Sequence, residues 1–299
     1  MNFKNKIILA PMVAITNISF RKLCSDHGAD IVYSQMIDSE GFVRGNHRLA
    51  DFYDEKNVVA QFLGNDADVF AECLNEVQDK VQAFDVNMGC PDSSVCKRKC
   101  GAEIMRYPKK IEKIVKKLVK KSKIPITVKI RAGYDREHIN AVKIAKICEK
   151  EGVSAIAVHG RARTVNYMHP VDYSIIKKVK DAVNVPVIGN GDVVDGKSAS
   201  LMFDSTGCDS IMVGRGVIGN PAVFDEIKYY LKGKKNKEVS RKKLFLQYLK
   251  YSKKYKVNFD EIKKHAQWFT KGMAGGGELR LEMNGAKDVD DLKKVYDKI

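Results

Sequence analysis

Short apolar runs alternate with amphipathic segments over the first three quarters of the chain. The runs at 7–10, 30–33, 58–61, 83–87, 126–130, 155–159, 187–189 and 210–213 have the length and composition of strands. Helical patterns lie between most of them. Ile111, Ile114, Val115, Leu118 and Val119 keep a 3.6-residue period on an otherwise lysine-rich segment. Ala141, Ile144, Ala145 and Cys148 do the same ahead of Gly152, a helix stop. Eight strand–helix units predict a closed parallel (β/α)8 TIM barrel. An open doubly wound sheet fits the same alternation, because pattern alone does not show closure.

After Gly233 the pattern changes. Residues 232–237 (Lys-Gly-Lys-Lys-Asn-Lys) read as an exposed linker, and helical stretches follow at 244–255, 262–273 and 289–296. No strand–helix unit recurs there. The expected division is a barrel over 1–233 and a small helical domain over 234–299. The lysine runs at 116–123 and 232–243 read as solvated faces.

Composition narrows the class. The length of 299 residues suits a barrel of roughly 250 residues with a small appended unit. A hydrophobic share of 44% with 30% charged residues excludes disorder. No apolar run approaches the roughly 20 residues that span a bilayer. The run at 7–10 is too short for a signal-peptide core, so the cytoplasm is expected. A net charge of +16 and a pI near 9.4 favour a polyanionic partner. Seven cysteines, an odd count without an export signal, imply reduced thiols.

Barrel chemistry sits at the C-terminal strand ends. The first strand leaves through Pro11, Met12 and Val13, where proline fixes the backbone and methionine offers a soft face to a planar ring. Gln61 ends the third strand and can both donate and accept, matching the imide edge of a flavin or pyrimidine. Asn87-Met88-Gly89-Cys90-Pro91 ends the fourth and holds a cysteine on a tight loop. The spacing of Cys90, Cys96 and Cys100 matches neither zinc nor common iron–sulfur patterns, so no metal is expected. On the fifth strand, Ile126, Val128 and Ile130 alternate, which turns Lys129 to the opposite face. A lysine there is costly unless it meets an anion, although a Schiff-base role fits equally. His159, Arg161 and Arg163 end the sixth strand. Asn190-Gly191-Asp192 and Gly214-Arg215-Gly216 follow the seventh and eighth, where barrels commonly bind phosphate.

These residues together resemble the tRNA-dihydrouridine synthase family. The resemblance runs over nearly the whole chain and is carried by Ala10-Pro11-Met12, Phe20-Arg21, Gln61-Phe62-Leu63-Gly64, Asn87-Met88-Gly89-Cys90-Pro91, Gly101-Ala102, Val128-Lys129-Ile130-Arg131, His159-Gly160-Arg161, Gly189-Asn190-Gly191-Asp192 and Gly214-Arg215-Gly216. In the tail, Lys264-His265, Trp268-Phe269, Lys271-Gly272 and Leu279-Arg280 are similar to the family's helical domain.

The resemblance implies FMN as cofactor, NADPH or NADH as reductant and tRNA as partner; no membrane and a monomer are expected. It implies hydride transfer to C6 of a flipped-out uridine and protonation of C5 by Cys90. Pro11, Met12, Val13, Gln61, Lys129, His159, Asn190, Gly191, Asp192, Gly214 and Arg215 fall at its flavin positions. Asn87, Arg131 and Arg161, with Lys264, His265, Lys271 and Arg280 of the tail, fall toward the RNA. The chain departs from the family at Asn17, where aspartate is common, and at Ala162, Val165 and Tyr167-Met168-His169.

Three other functions fit parts of the pattern. A flavin barrel acting on a free pyrimidine or another small molecule has no use for a basic tail. A lyase using Lys129 would be colourless and trapped by borohydride. A non-catalytic RNA-binding protein would leave the Cys90 loop idle.

Overall fold

The computed structural model describes residues 1–52, 55–235 and 239–298. Eight parallel strands, β1 (Ile7–Leu9), β2 (Ile31–Asp38), β3 (Val58–Leu63), β4 (Ala83–Met88), β5 (Ile126–Arg131), β6 (Ala155–His159), β7 (Val187–Asn190) and β8 (Ser210–Val213), pair in chain order and close. Closure is direct: Ile8 of β1 lies opposite Ile31 of β2 and opposite Met212 of β8. The open-sheet alternative is thereby excluded.

The two-residue period of the strands separates two apolar sets. Ile8, Ile31, Val59, Ala83, Ala157 and Met212 fill the barrel interior. Leu9, Val32, Phe62, Val86, Val128 and Val158 pack outward against the helices. The helix Pro108–Lys121 buries Ile111, Ile114, Val115 and Leu118 and leaves its lysines to solvent. The helix Ala141–Lys150 buries Ala141, Ile144, Ala145 and Cys148.

Most strand bounds match the expectation within one or two residues, but β2 runs five residues past Tyr33, to Asp38. Its register shifts between Tyr33 and Met36, and the Ser34 hydroxyl donates to Gln35 O and accepts from Gln61 N. The polar Ser34-Gln35 pair that breaks the apolar pattern is thus satisfied inside the wall.

Beyond the barrel lie four helices, Arg241–Lys254, Phe259–Phe269, Gly276–Asn284 and Val289–Tyr296. The expected linker at 232–237 falls partly outside the described residues. The helix Gly276–Asn284 escaped the sequence reading because Met283 is its one large buried apolar side chain, so no period shows. No helix among the described residues is long and apolar enough to cross a membrane.

The tail is clamped to the barrel. Asn17, which caps the helix Ile18–Asp26, donates to Tyr248 Oη at 3.1 Å and to Glu261 Oε2 at 2.9 Å. An aspartate at position 17 would face the Glu261 carboxylate instead. In the same region Arg21 is fully buried and bonds Glu55 Oε2 at 2.6 Å, Asp51 Oδ1 at 3.0 Å and the Thr16 carbonyl at 2.8 Å. Removing one member of a buried ion pair leaves the other uncompensated. Arg21→Met should therefore lower unfolding stability by about 3–5 kcal/mol. Urea denaturation of variant and wild type checks this; a loss under 1 kcal/mol contradicts the account.

Candidate active site

The strand ends enclose a cavity of about 570 Å³ at the C-terminal mouth of the barrel. It brings together every residue expected to meet a cofactor: Pro11, Met12, Val13, Gln61, Lys129, His159, Asn190, Gly191, Asp192, Gly214 and Arg215. Cys90, Asn87 and Arg131 line it too, as does Lys271 from the tail.

The floor is built on a buried carboxylate that no motif marks. Asp85 of β4 is fully buried and accepts from Thr127 Oγ1 at 2.6 Å and from Gln61 Nε2 at 2.8 Å. A carboxylate only accepts, which settles the orientation of the next groups. Gln61 must turn its amide nitrogen to Asp85, so its oxygen accepts from Asn87 Nδ2 at 2.8 Å. Asn87 Oδ1 is then left to accept from the backbone N–H of Gly89 at 3.0 Å and of Cys90 at 2.9 Å. The cysteine loop is thus oriented from the barrel core. The interior alternation of β4 and β5 (Asp85 and Asn87, Thr127 and Lys129) was the available signal.

Gly101, packed under the same loop, has φ +59°, and a Cβ there would meet the Cys90 carbonyl at 2.7 Å. Burial pushes the Cys90 thiol above its ordinary value, opposed by the backbone N–H of Asp92 and more weakly by Arg131. At neutral pH Cys90 is a thiol. Cys96 and Cys100 are buried, Cys96 Sγ lying 3.7 Å from the Cys90 carbonyl and Cys100 Sγ 3.4 Å from the Arg98 carbonyl.

Lys129 points inward, as the alternation requires, and donates to Asn190 Oδ1 at 2.9 Å. Asn190 Nδ2 in turn donates to the Met212 carbonyl at 2.8 Å. Burial, and then repulsion from Arg131, lower the Lys129 ammonium to about 8. His159 is buried among Lys129, Arg131, Arg161 and Arg215; burial first, and those cations second, hold its imidazole well below the ordinary value. Arg161 Nη1 lies 3.3 Å from His159 Nε2. Arginine can only donate, so Nε2 accepts and Nδ1 carries the proton. The floor therefore offers hydrogen-bond donors and positive charge to electron-rich atoms.

The phosphate-type loops have little room for side chains. Gly191 has φ +125°, and a Cβ on it would meet Val171 Cγ2 at 2.5 Å; one on Gly216 would meet the Val193 carbonyl at 2.5 Å. Asp192 is neutralised by Arg161 at 2.5 Å and Arg215 at 3.2 Å. Tyr167, one of the departures noted above, lies in the cavity wall, with its hydroxyl 3.2 Å from Arg131 Nη2 and the Arg215 guanidinium carbon 4.2 Å from its ring centre. Met36 is a further lining residue that the pattern does not reveal, because the polar Ser34-Gln35 pair ends the apolar run of β2 before it.

Four residues expected to face RNA lie outside the cavity. Lys264 is exposed, and Arg280 sits half-buried 3.4 Å from the Thr270 carbonyl. Arg161 is buried and tied to Asp192 and to the His169 carbonyl, at 2.7 Å, so it braces the wall and does not present itself to a polymer. His265 corrects the expectation outright. It is 1% exposed, packed on the rings of Phe20, Tyr248 and Trp268 at 4.4–4.8 Å, and burial brings it to about 3. A neutral ring in that position joins tail to barrel.

Comparison with known proteins adds an independent line. A family model described as dihydrouridine synthase (Dus) matches residues 8–299. The tRNA-dihydrouridine synthase B of Pseudomonas aeruginosa is 33% identical, over 96% of this chain and 90% of that protein. That of Pasteurella multocida is 36% identical, over 74% of this chain and 68% of that protein. Among solved structures, a FabK mutant from Thermotoga maritima matches at TM-score 0.45 and 16% identity, over 72% of this chain and 63% of that one. The fold rests on the eight paired strands and not on that likeness.

The Asp85 network generates its own test. Burial raises the Asp85 carboxyl to about 6, with Thr127, Gln61 and Lys129 opposing. Its folded value thus exceeds the unfolded value of roughly 3.9. The folded state binds this proton more tightly, so the group's contribution to stability falls as pH rises from about 4 through 6. Asp85→Asn should gain stability relative to wild type over that window, by roughly 2 kcal/mol. Urea midpoints at a series of pH values check this; a difference independent of pH contradicts it.

Proposed function

The chain belongs to the dihydrouridine synthase family, and from that premise we propose that it reduces the C5–C6 double bond of a uridine in tRNA, using bound FMN with NADPH or NADH as reductant. The reading is carried by one observation: Cys90 shares a single cavity with Lys129, Arg131, His159 and the glycine loops.

The residues fit a flavin mononucleotide. Ala10, Pro11, Met12 and Val13 give an apolar wall for a ring system. Gln61 and Lys129 face a ring edge that carries carbonyl oxygens and, when reduced, negative charge. Asn190, the backbone N–H groups of Gly191, Asp192 and Gly214, and Arg215 would hold the phosphate; the Asp192 carboxylate is taken by arginines, and Gly191 leaves no room for a side chain. When bound, the flavin supplies the hydride that adds to C6.

The remaining work falls to the chain. Cys90 gives its thiol proton to C5 and is left as a thiolate, which Arg131 helps to stabilise and which solvent reprotonates. The Asn87 side chain holds the loop so that this proton is presented to the ring and not to solvent. A uridine reaches the cavity only after leaving its stack, at a cost of a few kcal/mol, so the polymer must be held elsewhere. Residues 234–299 serve that role in this reading. Lys271 joins the tail to the cavity wall and Lys264 is exposed near it in sequence. A charge of +16 suits the tRNA backbone, and the cytoplasm is the place of action.

Two outcomes are expected. Flavin released by acid should chromatograph as FMN, and its affinity should weaken as pH rises through about 8, where Lys129 loses its charge; Lys129→Met should bind more weakly and without that pH step. Fluorescence titration reads both, and FAD, or a step that persists in the variant, counts against the reading. Cys90→Ala should keep its flavin and its reduction by NADPH, yet reduce tRNA uridine about 10²–10⁴-fold more slowly in a single turnover. Flavin reoxidation after anaerobic mixing with unmodified tRNA measures this, and equal rates in variant and wild type would overturn the proton-donor role.

A further inference from the structure

One cationic cluster on the catalytic rim is not used by the site described above. Tyr134, on the loop after β5, is flanked by two guanidiniums. Arg163, on the loop after β6, lies with its guanidinium carbon 5.3 Å from the ring centre, and Arg106, ending the turn Gly101–Arg106, lies at 4.9 Å. Main-chain bonds fix the pair of loops: Arg163 N donates to the Gly133 carbonyl at 3.0 Å, and Thr164 N to the Tyr134 carbonyl at 3.1 Å. The ledge adjoins the cavity through the chain itself. Ser93 follows Cys90 by three residues, and Tyr134 follows Arg131 by three.

The charge on this ledge is poorly answered. Arg106 pairs with Glu103 at 3.1 Å. Among the described residues Arg163 forms no ion pair. Its Nη1 reaches the Tyr134 hydroxyl at 3.4 Å and its Nη2 the Ser93 hydroxyl at 3.3 Å, both long, and its buried Nε has no partner. Asp92, next to Ser93, accepts at its Oδ1 from Ser94 and Val95 and is stabilised by the charge of Arg163 without forming an ion pair with it. A guanidinium 5.3 Å from a ring centre, with two long hydrogen bonds in place of an ion pair and a second guanidinium on the same ring, is pre-organised for a planar or tetrahedral oxyanion.

We propose that Arg163, braced on Tyr134 beside Arg106, binds a phosphodiester of the RNA strand adjacent to the nucleotide whose base occupies the cavity. The inference rests on the reading of that cavity as a uridine site. Three extended residues span at most roughly 10 Å, so Cys90 and Ser93 are separated by no more than one nucleotide's base-to-phosphate reach. One loop thus addresses the base at one end and its backbone at the other. A base held out of its stack is mobile unless the flanking backbone is fixed, which gives this contact its purpose.

The test uses flavin-loaded full-length protein and unmodified tRNA, with affinity measured by anisotropy over a range of salt. Arg163→Ala should bind roughly tenfold more weakly at moderate salt, and the slope of log affinity against log salt should fall by about one. Reduction of the flavin by NADPH should be unchanged. Arg163→Lys, which keeps the charge but not the planar fork, should restore the slope and only part of the affinity. Lys116→Ala, an equal loss of charge on the outer helical ring, should leave the slope as in wild type. An unchanged slope in Arg163→Ala, or the same change in Lys116→Ala, overturns the phosphate contact while leaving the uridine reading intact. Wild-type protein that does not bind tRNA at all overturns both.

Discussion

A carboxylate sealed inside a barrel has to be answered by donors, and the answer given to Asp85 organises the catalytic mouth. Thr127 and Gln61 supply the hydrogen bonds. Because an ionised carboxyl only accepts, each amide above it has one permitted orientation. That polarity passes from Gln61 to Asn87 and ends on the backbone of Gly89 and Cys90. Burial strengthens each of these bonds and makes any unmet partner costly. The cysteine is therefore positioned by an interior network and not by its own exposed loop.

The same enclosure sets the electrostatics. Lys129, Arg131 and His159 crowd a cavity whose wall holds Asp192, already bound by two arginines, with Asp85 buried beneath it. The result is a lysine brought down to about 8 and an imidazole kept neutral. A site in that state favours a ligand with carbonyl oxygens or negative charge along one edge. It disfavours thiolate formation at Cys90, since burial outweighs Arg131 there. Both tendencies suit a reaction in which charge arrives with the cofactor and a proton leaves from sulfur.

The tail is held by a different physics. His265, stacked on Tyr248 and tilted against Phe20, carries the contact, and Asn17 spans it by donating to both Tyr248 and Glu261. Asparagine at this position matches the carboxylate it faces. His265 stands beside Lys264 in sequence, yet the helix turns them to opposite environments, one buried and one exposed. Adjacent residues on a helix lie about 100° apart, so a motif read linearly mixes structural and ligand-facing roles.

The sequence by itself determined the strand–helix alternation, the inward turn of Lys129, the Cys90 loop and the glycine loops that follow β7 and β8. These are local features, set by side-chain period and backbone freedom, and they need no knowledge of distant residues. It also carried the family motifs over nearly the whole chain. Only the tertiary structure decided closure, since Ile8 must meet Met212 across some two hundred positions. It alone exposed Asp85 as the hub, lengthened β2 through a register shift to bring Met36 to the cavity, and moved Arg161 and His265 from recognition to support. Each of these depends on which groups end up buried together. Burial decides whether a polar side chain is an anchor or a ligand contact, and burial is a property of the closed barrel and not of any segment.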